Sequence, residues 1–192
     1  MTKPEVFIIE SLSPDDEGNG RFEGGILSQI LKLHGKSPKY RYVRTKKEFK
    51  NAVDQFGKSK YRYLHISAHA NNKGMCTTNQ DDIYFDELTK ILKKHLVGRR
   101  LFISACSMVQ DDLARKIISE SKCLSIIGPK NDIYFTDAAI FWSSLYHLMF
   151  TGSIETMKNK ELAKHLRNII KIFNVKIGFY SKNKKTIMRE VL

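Results

Sequence analysis

Short apolar runs alternate along this chain with stretches in which apolar residues recur at helical spacing. The short runs are rich in isoleucine, valine and aromatic residues and end at polar or turn-forming residues, a pattern typical of buried strands. They predict strands at residues 6–9, 40–43, 61–68, 100–105, 124–127 and 176–180.

Each predicted strand except the last is followed by a loop and then by an apolar stripe of helical period. The stripes predict helices within residues 26–33, 49–56, 88–96, 113–118, 138–150 and 154–173. Thr45 and Asp86 are suitable N-caps for two of them, and Gly35, Gly57 and Gly152 are placed to end helices. Because parallel neighbours need crossover connections, the alternation predicts a mostly parallel sheet with helices on both faces, a three-layer α/β/α sandwich.

Local turn residues complete this outline. The segment 13–20 combines Pro, Gly, Asn and Asp and predicts a long loop after the first strand. Gly128 and Pro129 are expected to break the fifth strand sharply.

The size and composition predict one globular domain over residues 1–192. Hydrophobic residues make up 42% of the chain and charged residues 28%, with neither a bilayer-length apolar run nor a signal sequence at the start. We therefore expect a soluble cytoplasmic protein. The three cysteines lack CxxC spacing, so neither a metal nor another cofactor is expected.

The chain is strongly basic, with 33 Lys and Arg against 20 Asp and Glu, a net charge of +13. Such a surplus attracts nucleic acid, anionic membranes or acidic proteins without selecting among them. The densest basic patch, residues 36–47, also contains Tyr40 and Tyr42, as a groove for single strands does. The same alternation of apolar and basic residues is typical of a half-exposed edge strand, which we favour over nucleic acid binding.

Two predicted strands end in residues of complementary chemistry. His69 follows the third strand and Cys106 the fourth, so parallel pairing of these strands brings both to the same sheet edge. A thiolate attacks carbonyl groups and an imidazole takes up its proton, which predicts a catalytic cysteine-histidine dyad. The backbone N–H groups of Ala70 and Cys106 are then candidate oxyanion donors.

Structural roles are the competing interpretation for these residue types. An isolated Cys106 is more often a packing residue, but a histidine at the end of the neighbouring β-α unit favours the dyad. Cys76 and Cys123 have no obvious base beside them. His65 and His69 share a strand face about 13 Å apart, too far for one metal ion. The remaining histidines are interpreted as capping or packing residues: His34, His95, His147 and His165.

The blocks around the dyad resemble the caspase-like (clan CD) cysteine peptidases, and most closely their CHAT branch, which is related to separases. Residues 65–70 (HISAHA) are similar to the family's histidine block and residues 103–107 (ISACS) to its cysteine block. A third block spans residues 124–152. Two departures are Ala70, where the family usually has Gly, and the sequence Ser-Met-Val after Cys106, where a Gly is common.

The resemblance implies a caspase-like fold and a cysteine endopeptidase that cleaves a protein partner. It further implies a role in bacterial defence or regulated cell death, with control by a separate regulatory protein, self-association or autocleavage. The alternative function is an inactive caspase-like module that binds nucleic acid or an acidic protein.

Substrate preference at P1 stays open in the sequence. By resemblance, the first pocket is shaped by Ser104, the loop 15–21 and residues 132–137. Asp132 or Asp137 is a candidate partner for a basic P1 side chain, although Asp137 is equally suited to N-cap the next helix. Arg21 is the corresponding candidate for an acidic P1 residue.

Overall fold

The computed structural model describes residues 2–151, 158–173 and 175–182 in full, and the backbone of residues 187–191. A single sheet forms its centre, with strand order β2-β1-β3-β6-β7-β8-β9. The strands are Lys3–Ser11 (β1), Lys39–Tyr42 (β2), Tyr61–Ala70 (β3), Gly74–Cys76 (β4), Asp82–Tyr84 (β5), Arg100–Ser104 (β6), Ser125–Pro129 (β7), Ile177–Lys182 (β8) and Ile187–Val191 (β9).

The pairing from β2 through β7 is parallel, and β8 and β9 add antiparallel strands at one side. The prediction of a mostly parallel sheet is therefore confirmed. β2 lies at the opposite edge, and its side chains alternate between exposed and half-buried. Both features agree with the interpretation of the basic patch as a half-exposed edge strand.

Helices cover both faces of the sheet, as the strand-helix alternation predicts. They are Pro14–Gly18 (α1), Glu23–Leu33 (α2), Lys46–Lys58 (α3), Phe85–Leu92 (α4), Asp111–Ser121 (α5), Phe135–Phe150 (α6) and Asn159–Ile170 (α7), with a 3₁₀ turn at Lys93–His95.

Alternate residues of each central strand enter different core layers. On β1, Phe7 and Ile9 pack against α3, α4 and α5, whereas Val6 and Ile8 pack in the layer formed with α2, α6 and α7. The central strands β1, β3, β6 and β7 are buried on both faces along most of their length, which explains their nearly continuous apolar runs. The three-layer α/β/α sandwich is thus confirmed.

Several local predictions need correction. Residues 14–18 form the short helix α1 within the expected loop, and Gly128 and Pro129 lie inside β7. Asp86 belongs to the first turn of α4, whose N-cap is Tyr84. The hairpin β4–β5 and the strand β9 were not predicted, because strands this short or polar carry little periodic signal. Gly152 and the start of the predicted helix 154–173 fall outside the described residues.

Two predicted helix ends have the expected geometry. Thr45 caps α3 through a capping box, in which its hydroxyl accepts from Glu48 N–H and the Glu48 carboxylate accepts from Thr45 N–H. Gly35 follows α2 with φ of +67°, a conformation that glycine adopts without strain. In the described part of the chain, no helix is long and apolar enough to cross a membrane.

Candidate active site

The ends of β3 and β6 form the centre of the candidate site. These strands are parallel neighbours, with Ser67 and Ser104 as register partners. His69 and Cys106 each follow two residues later, His69 still within β3 and Cys106 in the turn after β6. The topology therefore brings both to the carboxyl edge of the sheet, where α/β folds bind ligands.

His69 is held by one carboxylate and one aromatic ring. Its Nε2 lies 2.6 Å from Oδ2 of Asp16, and its ring meets Phe135 edge-on with centroids 5.4 Å apart. The side chain is 42% exposed. No described residue hydrogen-bonds to Nδ1, so this nitrogen is available to a reacting group.

Asp16 is buried, and three donors surround its carboxylate. Ser13 Oγ donates to Oδ2 at 2.7 Å, Arg21 donates to Oδ1 at 2.7 Å, and His69 donates to Oδ2. Burial acts to raise the pKa of Asp16, but these hydrogen bonds outweigh it and hold the pKa below its ordinary value. An ionised carboxylate only accepts hydrogen bonds, so the proton of neutral His69 resides on Nε2.

The short helix α1 positions this carboxylate. Ser13 is its N-cap and accepts from Asp16 N–H, while Pro14 occupies the first turn, where its missing N–H costs nothing. The local sequence therefore determines where α1 begins. The tertiary fold then places Asp16 of this helix beside His69 of β3.

Cys106 lies in a tight turn after β6 and is half-buried. Its thiol donates to the carbonyl of Ile133 at 3.6 Å. The next residue, Ser107, has φ of +52°, and its N–H donates to Asn131 O. Within the described residues the Cys106 N–H has no hydrogen-bond partner.

The N–H of Ala70 points toward the same side as Cys106. The hairpin β4–β5 pairs with the end of β3. It lies on the side of β3 that faces β1, because Thr78 in the hairpin loop donates its N–H to Oγ of Ser11 in β1. Asn71 N–H donates to Gly74 O, which makes the adjacent pair Ala70 and Met75 a non-hydrogen-bonded one. In such a pair the N–H is directed away from the partner strand, here toward the β6 side.

A buried carboxylate lies beneath the candidate dyad. Glu23, in the first turn of α2, accepts from Ser104 Oγ at 2.8 Å and from Ser67 Oγ at 3.4 Å, and lies 3.3 Å from His65 Nε2. Ser67 and Ser104 each precede a dyad residue by two positions, so the carboxylate sits on the sheet face shared with α2 and α6.

Two clefts flank this centre. One, of about 500 Å³, runs between α2 and α6 and is lined by Glu23 and Arg21 together with Phe135 and apolar residues of both helices. The other, of about 900 Å³, is polar and is lined by Ala70, Ser107 and Asp132 among others. The centre therefore has on one side a largely apolar cleft that includes Glu23 and on the other side a polar cleft.

Other predicted residues occupy different surroundings. Asp132 is exposed, accepts from Ser107 Oγ and lines the polar cleft. Asp137 lies in the first turn of α6, whose N-cap is Tyr134, so the N-cap interpretation of Asp137 is wrong. Arg21 is engaged with Asp16.

The remaining histidines and cysteines are distributed over the fold. His65 is fully buried against Tyr146 and Glu23. Burial raises the pKa of Cys123 to about 12, whereas Cys76 is the register partner of His69 in β4, a proximity that the sequence did not reveal. Among the described residues, no group of three or more His, Cys, Asp and Glu is arranged to hold a metal ion.

Asp16 and Glu23 are the site residues that sequence reasoning missed. For Asp16 a signal existed, because Ser13-Pro14 followed by acidic residues is a helix-start pattern that places a carboxylate in an ordered first turn. For Glu23 there was none, since its partners lie 42 to 81 positions away in the sequence.

Comparison with known proteins identifies the fold. The chain matches no protein-family model and no curated protein sequence. Among solved structures it is similar to the Arg-specific cysteine proteinase gingipain R, with a TM-score of 0.58 and 12% identity over 88% of this chain. Gingipain R is a clan CD cysteine proteinase, so the fold of this chain is of the caspase-like class.

The likeness at this identity concerns the fold, and the chain spans 42% of the gingipain chain. Weaker similarities are to the C-terminal domain of the coenzyme A biosynthesis bifunctional protein CoaBC, with a TM-score of 0.46 at 10% identity, covering 100% of this chain and 90% of that one. A periplasmic sugar-binding protein from Pseudomonas fluorescens gives 0.43 at 12% identity, covering 90% and 49%.

Proposed function

We propose that this protein is a cysteine endopeptidase in which Cys106 is the nucleophile and His69 the general base and acid. The observation that carries the proposal is the hydrogen bond from His69 Nε2–H to the buried carboxylate of Asp16, at the sheet edge where β6 delivers Cys106. A histidine that has one nitrogen fixed on a carboxylate and the other without a described partner, on the strand next to the one that leads to a cysteine, suits nucleophilic catalysis.

In this mechanism the Cys106 thiol transfers its proton to His69 Nδ1, and the thiolate attacks the scissile carbonyl carbon. The oxyanion accepts hydrogen bonds from the N–H groups of Ala70 and Cys106. The C–N bond then breaks as the imidazolium returns the proton to the departing amine. Water, deprotonated by the same imidazole, hydrolyses the thioester. Asp16 acts as a positioning residue that fixes the tautomer and ring orientation of His69.

We further propose that the substrate is a protein with a basic residue at P1. Glu23 lines the α2–α6 cleft and accepts hydrogen bonds from Ser67 and Ser104, which precede His69 and Cys106 by two positions; its remaining described partner is His65. A guanidinium or ammonium group that enters the cleft gains a charge-assisted pair with this carboxylate. The apolar side chains of the cleft then contact the aliphatic part of the Arg or Lys side chain. Glu23 thereby replaces Asp132 and Asp137 as our preferred P1 partner.

The biological setting belongs to the same proposal. Placement in the CHAT branch and a role in bacterial defence or regulated cell death, with a separate regulatory protein, rest on the resemblance of residues 65–70 and 103–107. A single domain over residues 1–192 and a cytoplasmic location rest on the size and composition of the chain. The inactive nucleic-acid-binding module is not favoured. Tyr40 of the basic patch donates to buried Glu10, and Tyr42 packs on Phe22, so both aromatic rings are engaged within the fold.

The activity test compares wild type with Cys106→Ala on fluorogenic peptides that differ only at P1. We expect wild type to cleave after Arg or Lys and Cys106→Ala to lose turnover while keeping the wild-type unfolding transition. Cys123→Ala, which removes a buried thiol far from the dyad, is the matched control and should retain cleavage. Equal turnover by wild type and Cys106→Ala would reject Cys106 as the nucleophile.

The P1 test uses Glu23→Gln, which keeps the shape and one hydrogen-bond acceptor of the side chain. We expect kcat/KM for peptides with Arg or Lys at P1 to fall by about tenfold or more, the usual cost of losing a charged hydrogen-bond partner. Peptides with an uncharged P1 residue should be affected much less. A uniform fall for all peptides would assign Glu23 a structural role only.

A further inference from the structure

Two histidines lie in contact at the ends of α2 and α6 that are remote from the dyad. His34 is the C-cap of α2 and His147 lies in the last turn of α6. His147 Nδ1 and His34 Nε2 are 3.3 Å apart, and the ring centroids are 5.2 Å apart with an interplanar angle of 56°. In the absence of a metal, one of these nitrogens donates a proton to the other.

Both distances fit a shared metal ion. Zinc bonds to imidazole nitrogen at about 2.0–2.1 Å, so two nitrogens on a tetrahedral ion are about 3.3–3.4 Å apart. With the same bond lengths and angle, the two ring centres are separated by about 5.2 Å. A collinear N–H···N bond of the observed length separates the ring centres by about 5.6 Å, given N···N near 3.3 Å. The observed distances between the two nitrogens and between the two ring centres thus match those of two imidazole ligands on one tetrahedral metal ion.

The surroundings also suit a metal ion. The pair lies in a cleft of about 620 Å³, and among its described lining residues none is Lys, Arg, Asp or Glu. The described lining itself therefore provides neither a fixed cation that repels a metal ion nor a carboxylate that competes with the imidazoles. Ser144 and Asn168 supply oxygen atoms in the same cleft, between the apolar side chains of Leu33 and Ile172.

We propose that His34 and His147 form a binding site for a first-row divalent transition metal of the zinc or nickel class. The two imidazoles provide two ligands, and water completes the coordination. A bound ion links the ends of α2 and α6, whose opposite ends carry Glu23 and Phe135. The site therefore ties together the two helices that wall the α2–α6 cleft, and it is independent of the proposed peptidase activity.

The test is a calorimetric titration of the full chain with Zn²⁺ alone and with Ni²⁺ alone. Because thiolates also bind zinc, the starting protein carries Cys76→Ser and Cys106→Ala. We expect one equivalent of metal to bind at pH about 7.5, where imidazoles are neutral. His34→Gln and His147→Gln should each weaken binding by at least about tenfold, since loss of even an outer-shell partner costs this much. His165→Gln, on α7, is the matched control and should bind as the starting protein does.

Thermal unfolding is the second measurement, and it distinguishes loss of metal binding from a folding defect in the variants. Thermal unfolding without metal should be similar in all four proteins, and added Zn²⁺ should raise the midpoint of the starting protein and of His165→Gln alone. Metal binding that is unchanged in His147→Gln overturns the site. Absence of binding in the starting protein also overturns it and leaves the pair as a hydrogen bond between helix ends.

Discussion

At the level of single residues, the candidate site depends on a carboxylate that is ionised in a buried setting, Asp16. Asp16 keeps its charge because three donors compensate its burial, and it thereby determines which nitrogen of His69 carries the proton. An exposed carboxylate at the same distance, screened by water, would orient the ring far less firmly. In the proposed mechanism, the chemistry at Cys106 therefore depends on Asp16 in a helix of five residues, which acts through His69 from 53 positions away in the sequence.

Asp16→Asn tests this coupling. The amide has no charge to stabilise the imidazolium, and it no longer dictates the Nε2–H tautomer. We expect kcat to fall by about 10²–10⁴-fold with a small change in KM, as for the orienting carboxylate of a catalytic triad.

Asp15→Asn is the matched control, because Asp15 is the exposed neighbour in the same helix turn. Its kcat should stay near that of wild type. An unchanged pH profile of kcat/KM in Asp16→Asn would contradict a positioning role for Asp16.

At the level of elements, close backbone approach explains the glycine in β7. A Cβ on Gly128 would lie 2.4 Å from Val109 Cγ2 and 2.5 Å from the carbonyl oxygen of Ile103. Val109 follows the Cys106 turn, and Ile103 belongs to β6, which delivers that turn. Gly128 and Pro129 therefore continue the strand, where a purely local interpretation predicts a break.

Gly128→Ala should accordingly destabilise the fold by about 1–3 kcal/mol, the usual range for overpacking, because one of the contacts is to backbone that cannot rotate away. Denaturant unfolding measures this change. Gly18→Ala is the control, since its added methyl meets nothing within 4 Å. Equal denaturant midpoints for Gly128→Ala and Gly18→Ala would contradict the prediction, because β6 and β7 would then accommodate the added methyl group without cost.

For the whole molecule, the pH dependence of stability depends on a third buried acid, Glu10. Burial, opposed by hydrogen bonds from Gly24 N–H and Tyr40 Oη–H and reinforced by the charge of Glu23, raises the pKa of Glu10 to about 7 from 4.5. Between these values the folded state holds a proton that the unfolded state has released. The free energy of unfolding contributed by Glu10 is therefore fully present below pH about 4.5 and is lost as the pH rises through 7.

The loss of unfolding free energy amounts to at most about 3.4 kcal/mol between pH 4.5 and 8, at 1.36 kcal/mol for each pKa unit. Glu10→Gln should remove this decline, because its amide stays neutral and retains partners for Gly24 and Tyr40. Urea unfolding at several pH values tests it, and equal slopes in wild type and Glu10→Gln would contradict it. The lowered pKa of Asp16 acts in the opposite sense, and only below pH about 4, so the two windows are separate.

The sequence by itself determined the strand-helix order, the three layers and the two strand ends that carry His69 and Cys106, because apolar periodicity is a local property of the chain. Thr45 and Gly35 were identified for the same reason, since capping involves only near neighbours.

Only the tertiary structure decided what surrounds the candidate dyad. Asp16, Glu23, the direction of the Ala70 N–H and the pairing of His34 with His147 all depend on which loops and helix ends meet across the sheet. Such contacts join residues far apart in sequence, and their hydrogen bonds and charges leave no periodic trace in it.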